Sequence, residues 1–196
     1  PYPRGSVWSN VIRNLTDADA KVIVFDIMFD SYDHSSKILE KYLKDDCSNC
    51  NIYDEDILFN ESVKYANSKG TNVVLASKIA HDLNRIPSDF IVEPNDKIMT
   101  SLIKTGIVNQ EADNIDYVIK RYPIFYKLSS KPDDLYLSLA VQSVLSYYNL
   151  EEYKVNQDVD NSIFQIGGIP ISTFGKEASF LINYYGPTSS LFNTFK

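Results

Sequence analysis

The run Lys21-Val22-Ile23-Val24-Phe25-Asp26-Ile27 is rich in branched and aromatic residues, with little alternation between apolar and polar positions. A strand of this kind has no wet face, so it has to be covered on both sides, as in a parallel sheet flanked by helices. The same signal returns at Asn72-Val73-Val74-Leu75-Ala76. Helical spacing fills the intervals. Val7, Trp8, Val11, Ile12 and Leu15 share one face after a Pro/Gly-rich entry, which places a helix start near Ser6. Residues 35–44 put Ile38, Leu39, Tyr42 and Leu43 on one face, and Asp54 to Ser68 does so through Ile57, Leu58 and Val63 before the stop at Gly70.

Beyond this βαβ rhythm the pattern changes. Pro87 to Lys97 reads as a polar surface loop, and a short helix from Met99 to Lys104 ends at Gly106. Ile115–Ile119 and Tyr122–Tyr126 read as strands, Asp133–Tyr148 as a helix, and Ala178–Tyr184 as a strand ended by Gly186-Pro187. Gly167-Gly168 lies between two short apolar runs, a hairpin signal because both turn positions can take positive φ. Pro170 cannot donate to a ladder, so the second arm should lie on an edge. The expected fold is α/β: a mixed, mainly parallel sheet with helices on both faces, and an antiparallel hairpin near the C-terminal end.

Length and charge narrow the function. A chain of 196 residues suits a single domain. With 44% hydrophobic residues, 23% charged residues and 14 tyrosines it is globular rather than disordered. The net charge is −7 with no clustered Lys and Arg, which argues against a nucleic-acid partner. The longest strongly apolar stretch, Val22 to Phe29, is interrupted by Asp26 and falls far short of the ~20 residues of a membrane-spanning helix. The opening Pro1-Tyr2-Pro3-Arg4 and the ending Phe195-Lys196 suggest a piece of a longer protein.

Asp26 and Asp30 are the first candidates for chemistry, because Asp26 falls near the carboxyl end of a parallel strand, where open α/β sheets bind ligands. Asp33 and His34 behind them could complete an oxygen-rich cation site or an acid/base pair. Against this, the aspartates are not two apart on one loop, as a phosphatase-like pattern requires. Asp26 could equally cap a helix or bind backbone amides while Asp30 and Asp33 are solvated. Cys47-Ser48-Asn49-Cys50 has redox spacing but an acidic setting, which disfavours a reactive thiolate and leaves a disulfide or two free thiols open. With only two Cys and two His, a zinc site is weakly supported. No Gly-x-Ser-x-Gly elbow is present, Gly167-Gly168 is followed by no phosphate-loop Lys, and the tyrosines form no single stripe. No cofactor or metal is expected.

In order along the chain, Pro1-Tyr2-Pro3-Arg4, an amphipathic helix, Ala20 to Phe29, Asp56 opening a helix, and Asn72 to Ala76 resemble the N-terminal half of a CHASE2 domain. Gly106-Ile107-Val108-Asn109, Lys120-Arg121-Tyr122-Pro123, Leu137-Ser138-Leu139-Ala140 and Leu181 to Pro187 continue the resemblance. It spans nearly the whole chain; residues 31–53 look inserted, and the family's closing strand and Asp-Thr-Pro segment are missing. It implies a single domain over residues 1–196 lacking its last C-terminal segment. The implied role is an extracytoplasmic (periplasmic or cell-surface) sensor in a bacterial membrane receptor, relaying ligand or packing state to a cytoplasmic nucleotide cyclase or kinase. The fragment itself would not be an enzyme, although its parent would be an adenylate/guanylate cyclase or a protein kinase. Implied partners are a small-molecule or protein ligand, the parent's membrane helices and output domain, and a second copy in a homodimer. The family supplies no catalytic residues to carry over. Architecture singles out Asp26, Phe29 and Asp30, with Arg121 and Asn183, as ligand-binding candidates. The competing readings are a divalent-cation-dependent α/β hydrolase using Asp26 and Asp30, and a module that only dimerises a receptor.

Overall fold

The structure is a computed structural model describing residues 3–35, 38, 54–110, 119–150, 155–158, 163–173 and 178–182. The first apolar run forms β1 (Val22–Phe25) and the second begins β2 (Asn72–His81), paired in parallel from Val22↔Asn72 to Phe25↔Leu75. On the other side of β2 lies β4 (Ile103–Ile107), parallel from Val73↔Ile103 to Ser77↔Ile107. The upper half of β2 turns back into β3 (Asp89–Val92), antiparallel from Lys78↔Val92 to His81↔Asp89. Where β4 ends, the side-chain amide of Asn109 carries the ladder one rung further. Its Oδ1 accepts from Ile79 N at 2.6 Å and its Nδ2 donates to Ile79 O at 2.9 Å, as a peptide group would.

Successive side chains of a strand point to opposite faces, and the sheet uses both. Ile23, Phe25, Val73, Leu75 and Ile103 pack with Ile12, Phe59, Val63 and Ala66, whereas Val74 and Ala76 pack with Leu139, Val22, Met28 and Val108. Ile12 belongs to α1 (Ser9–Asp17), which a π-helical turn, Arg4–Trp8, precedes. Phe59, Val63 and Ala66 belong to α2 (Glu55–Ser68), capped by Asp54, whose carboxylate accepts from Asp56 N and Ile57 N. Leu139 opens α3 (Leu139–Tyr147). Gly106 makes that contact possible, since a Cβ there would sit 2.5 Å from Leu139 Cα.

Two compact units are distinguishable: Pro1–Asn109 with Phe125–Glu152, and Gln110–Ile124 with Tyr153–Lys196. Besides the sheet, the first holds an antiparallel hairpin of β6 (Phe125–Leu128) and β7 (Lys131–Leu137). The second holds β5 (Arg121–Pro123) antiparallel to β11 (Ser179–Leu181), and a three-stranded sheet in the order β10-β9-β8. Its strands are β8 (Val155–Asp158), β9 (Ile163–Ile166) and β10 (Ile169–Ser172). Gly167 (φ 58°) and Gly168 (φ 81°) form the β9–β10 turn, and Pro170 lies on the edge strand, both as expected.

The fold is mixed α/β, and among the described residues parallel pairing is confined to β1, β2 and β4 apart from an isolated bridge between Ile107 and Ser138. The described pairings among β5–β11 are all antiparallel, so strand pairing taken together is mixed. The Gly-Gly hairpin joins β8 in its own sheet instead of the β1–β4 sheet. The expected helix from Asp133 begins only at Leu139, because residues 131–137 pair with β6. The polar loop at 87–97 contains β3, and the short helix expected at 99–104 gives way to β4, with Gly106 inside a strand instead of ending a helix. The strand at 122–126 splits between β5 and β6. The expected helix at 35–44 falls almost wholly outside the described residues, as do the cysteine loop and nearly all of the strand at 115–119.

Candidate functional site

The loop leaving β1 places its candidates differently. Phe29 is 3% exposed and packs against Phe25 and Phe59, with ring centroids 5.7 and 5.2 Å away. Asp26 and Asp30 are exposed. Among the described residues neither carboxylate has a hydrogen-bond or ion-pair partner, and no group of three or more His, Cys, Asp or Glu side chains is placed to hold a metal ion. Asp26 therefore makes none of the caps or amide bonds considered for it.

The buried polar centre lies between the N-terminal turn and the start of α2. The Arg4 guanidinium donates to Asp56 Oδ1 at 2.6 Å; the two side chains are 10% and 0% exposed. The same guanidinium stands 5.0 Å from the Phe29 ring centroid, a cation–π contact that seals the pair against the core. The other Asp56 oxygen accepts from Asp33 N at 2.9 Å, and Asp33 Oδ2 accepts from Arg4 N at 2.9 Å. Glu55 reaches back to Ser6 N at 2.7 Å. Gly5 lets these segments meet, since a Cβ there would lie 2.7 Å from Leu58 Cβ. This clasp joins residues 4–6, the loop after β1 and the first turn of α2, where the helix dipole favours carboxylates.

A second set of contacts continues from it. Asn95 Nδ2 donates to Ser31 O at 2.9 Å, while its Oδ1 accepts from Lys97 N and Ile98 N. Lys97 Nζ pairs with Asp54 at 2.6 Å and lies 5.5 Å from the Tyr32 ring, whose hydroxyl donates to Asp96 at 2.7 Å. Burial pushes the Asp33 carboxyl up, but hydrogen bonds from Ser35 and from the Arg4 amide, with the Arg4 charge, outweigh it and hold the group below its ordinary value. Asp54 is lowered in the same way: burial opposes, while the Lys97 hydrogen bond and the helix amides prevail.

These contacts build a scaffold, with no nucleophile and base side by side. Among the described residues neither histidine has a hydrogen bond to a serine, cysteine or carboxylate; His34 lies beside Tyr32, ring centroids 6.4 Å apart. Arg121 belongs to the second unit, paired with Leu181 across β5 and β11, and Asn183 lies outside the described residues. A polar cavity of about 270 Å³ opens at the helix ends and strand starts, lined by Thr16, Asp17, Asp19, Lys21, Lys69 and Thr71 among others. Arg4 and Asp56 were visible in the sequence only as landmarks. The signal for Asp56 was its place at the opening of a helix; its partner 52 positions away carried none.

No helix among the described residues is long and apolar enough to cross a membrane. No curated protein and no solved structure matches the chain. A family model, the CHASE2 domain, matches residues 1–196. CHASE2 domains are extracytoplasmic sensor modules without catalytic function. The match covers the whole chain, and the chain belongs to the CHASE2 domain family.

Proposed function

We propose that this chain is the sensing part of a bacterial membrane receptor, and that the clasp around Arg4 and Asp56 couples the sensed state to the N-terminal segment. The observation carrying this reading is the buried Arg4–Asp56 pair, which ties residues at the start of the chain to the loop after β1 and to α2. A ligand that shifts this loop changes what the N-terminal segment is held by, which is how a binding event reaches an attached element. Asp26 and Asp30, exposed on that loop, are the proposed ligand contacts, with Phe29 acting from the core as the link to Arg4. Arg121 and Asn183 remain ligand candidates in their own right. The ligand is a small molecule or a protein, the parent works outside the cytoplasm as a homodimer, and its output is a nucleotide cyclase or a kinase.

The test is the parent polypeptide in its native membrane, with cyclic-nucleotide synthesis or kinase activity as readout. Arg4→Gln should change basal output while the protein still reaches the membrane. Asp26→Asn with Asp30→Asn should leave basal output intact and remove the response to stimulus. A parent found in the soluble fraction, or output indifferent to all three changes, overturns the reading.

A further inference from the structure

The tip joining β2 to β3 carries two side chains unlike any others described: Leu83 is 95% exposed and Ile86 is 100% exposed. The remaining exposed large apolar residues are half covered, between 37% and 61%. Isolated surface aliphatics need no explanation, but two wholly uncovered ones on a single hairpin tip do. The tip is not slack chain, because its backbone is tied to itself. Asp82 N donates to Ser88 O at 2.8 Å, Arg85 N to Asp82 O at 3.1 Å, and Asn84 N to Asp82 Oδ1 at 2.9 Å. Leu83 and Ile86 are thus presented by a closed turn whose carboxylate is occupied by its own backbone.

The cation beside them is placed otherwise. The Arg85 guanidinium lies 4.0 Å from the centre of the Phe90 ring, and among the described residues it has no carboxylate partner, which leaves its N–H donors available to an outside acceptor. Two bare aliphatics next to an unpaired guanidinium match a surface that is apolar beneath and anionic at its rim. A protein groove fits less well. Specific protein interfaces bury roughly 1,200–2,000 Å², and a convex tip offering two apolar side chains supplies a small part of that. A lipid surface needs no matching shape, only apolar insertion with cationic attraction. We propose that the β2–β3 tip is a lipid-docking element, with Leu83 and Ile86 entering the acyl boundary of a bilayer while Arg85 meets lipid phosphate.

The test is co-sedimentation of the chain with vesicles of phosphatidylcholine alone and of phosphatidylcholine mixed with phosphatidylglycerol, comparing parent, Leu83→Ser/Ile86→Ser and Arg85→Gln. The parent should partition onto the mixed vesicles, and added salt should weaken the gain over phosphatidylcholine alone. The double-serine variant should lose roughly tenfold or more of that partitioning. Arg85→Gln should lose the preference for the anionic vesicles and keep the weaker neutral binding. Because Leu83 and Ile86 are uncovered and Arg85 makes only an exposed contact with the Phe90 ring, nearly unchanged melting temperatures are expected and would exclude misfolding as the cause. Equal partitioning of parent and double-serine variant, or no parent on either vesicle, overturns the proposal. It fails equally if the double-serine change abolishes self-association in sedimentation velocity and leaves vesicle binding unaltered, since the tip would then be a protein contact.

Discussion

Arg4 and Asp56 illustrate why a single buried residue can matter more than an exposed pair. Removing one partner of a buried ion pair leaves an uncompensated charge and costs roughly 3–5 kcal/mol, more than the pair itself contributes. Asp56→Ala should cost that much and also release Asp33 N, so it should lower the melting temperature more than Arg4→Met, whose stem can still cover the Phe29 ring. Asp26 lies at the other extreme. It is exposed and partnerless among the described residues, so Asp26→Asn and Asp26→Leu should both melt within about 0.5 kcal/mol of the parent. Chemical denaturation of the four variants checks the order, and a large loss in Asp26→Leu would mean that its carboxylate serves a donor after all.

Among the elements, those set by local chemistry were legible in the sequence. The spacing of Ile57, Leu58 and Val63 announced α2, and Gly167-Gly168 announced the β9–β10 turn because both positions need positive φ. Strands β3, β4 and β7 were not legible. β3 and β7 are hairpin arms, paired with the neighbouring upper half of β2 and with β6 across turns that carry no Gly-Gly-type signal, while β4 is held by the lower half of β2, a distant partner that no local pattern names. Gly106 misled for the same reason. It was read as a helix stop, but the residue is glycine because the start of α3 crosses it at backbone distance. Gly106→Ala should therefore destabilise by about 1–3 kcal/mol through overpacking against Leu139, with the loss centred on the contact between α3 and the sheet. Gly168→Ala, which meets open space, should cost only the strain of positive φ, on the order of 1 kcal/mol. Hydrogen exchange separates the two, since only the first should speed exchange in β4 and α3. The candidate site follows the same rule: the helix that Asp56 opens could be read, while the clasp across 52 positions emerges only when α2 and the N-terminal turn are brought together.

For the molecule as a whole, the net charge of −7 and the placement of its carboxylates predict a one-sided response to pH. Burial pushes both Asp33 and Asp54 up, but Asp33 is held below its ordinary value by hydrogen bonds from Ser35 and then the Arg4 amide, and Asp54 by the Lys97 hydrogen bond and the helix amides. A carboxyl lowered in the folded state binds fewer protons than its unfolded counterpart, whose pKa is near 3.9. Its stabilising contribution is therefore complete above that value and drains away as the pH falls through the folded pKa. Both groups are partly exposed, so each contribution is screened and the effect belongs to the ensemble of contacts instead of one bond. The melting temperature should stay level from neutrality to about pH 5 as far as these groups are concerned, then fall below about pH 4. Asp33→Asn should lower the neutral-pH melting temperature, because an amide cannot serve as a full acceptor to both Ser35 N and Arg4 N. The same variant should lie nearer the parent at the acid end, where the parent's Asp33 is protonated too. Thermal melts of the two proteins across this range give the measurement. Parallel curves at all pH values would show that Asp33 acts by shape alone and that the acid sensitivity resides elsewhere in the chain.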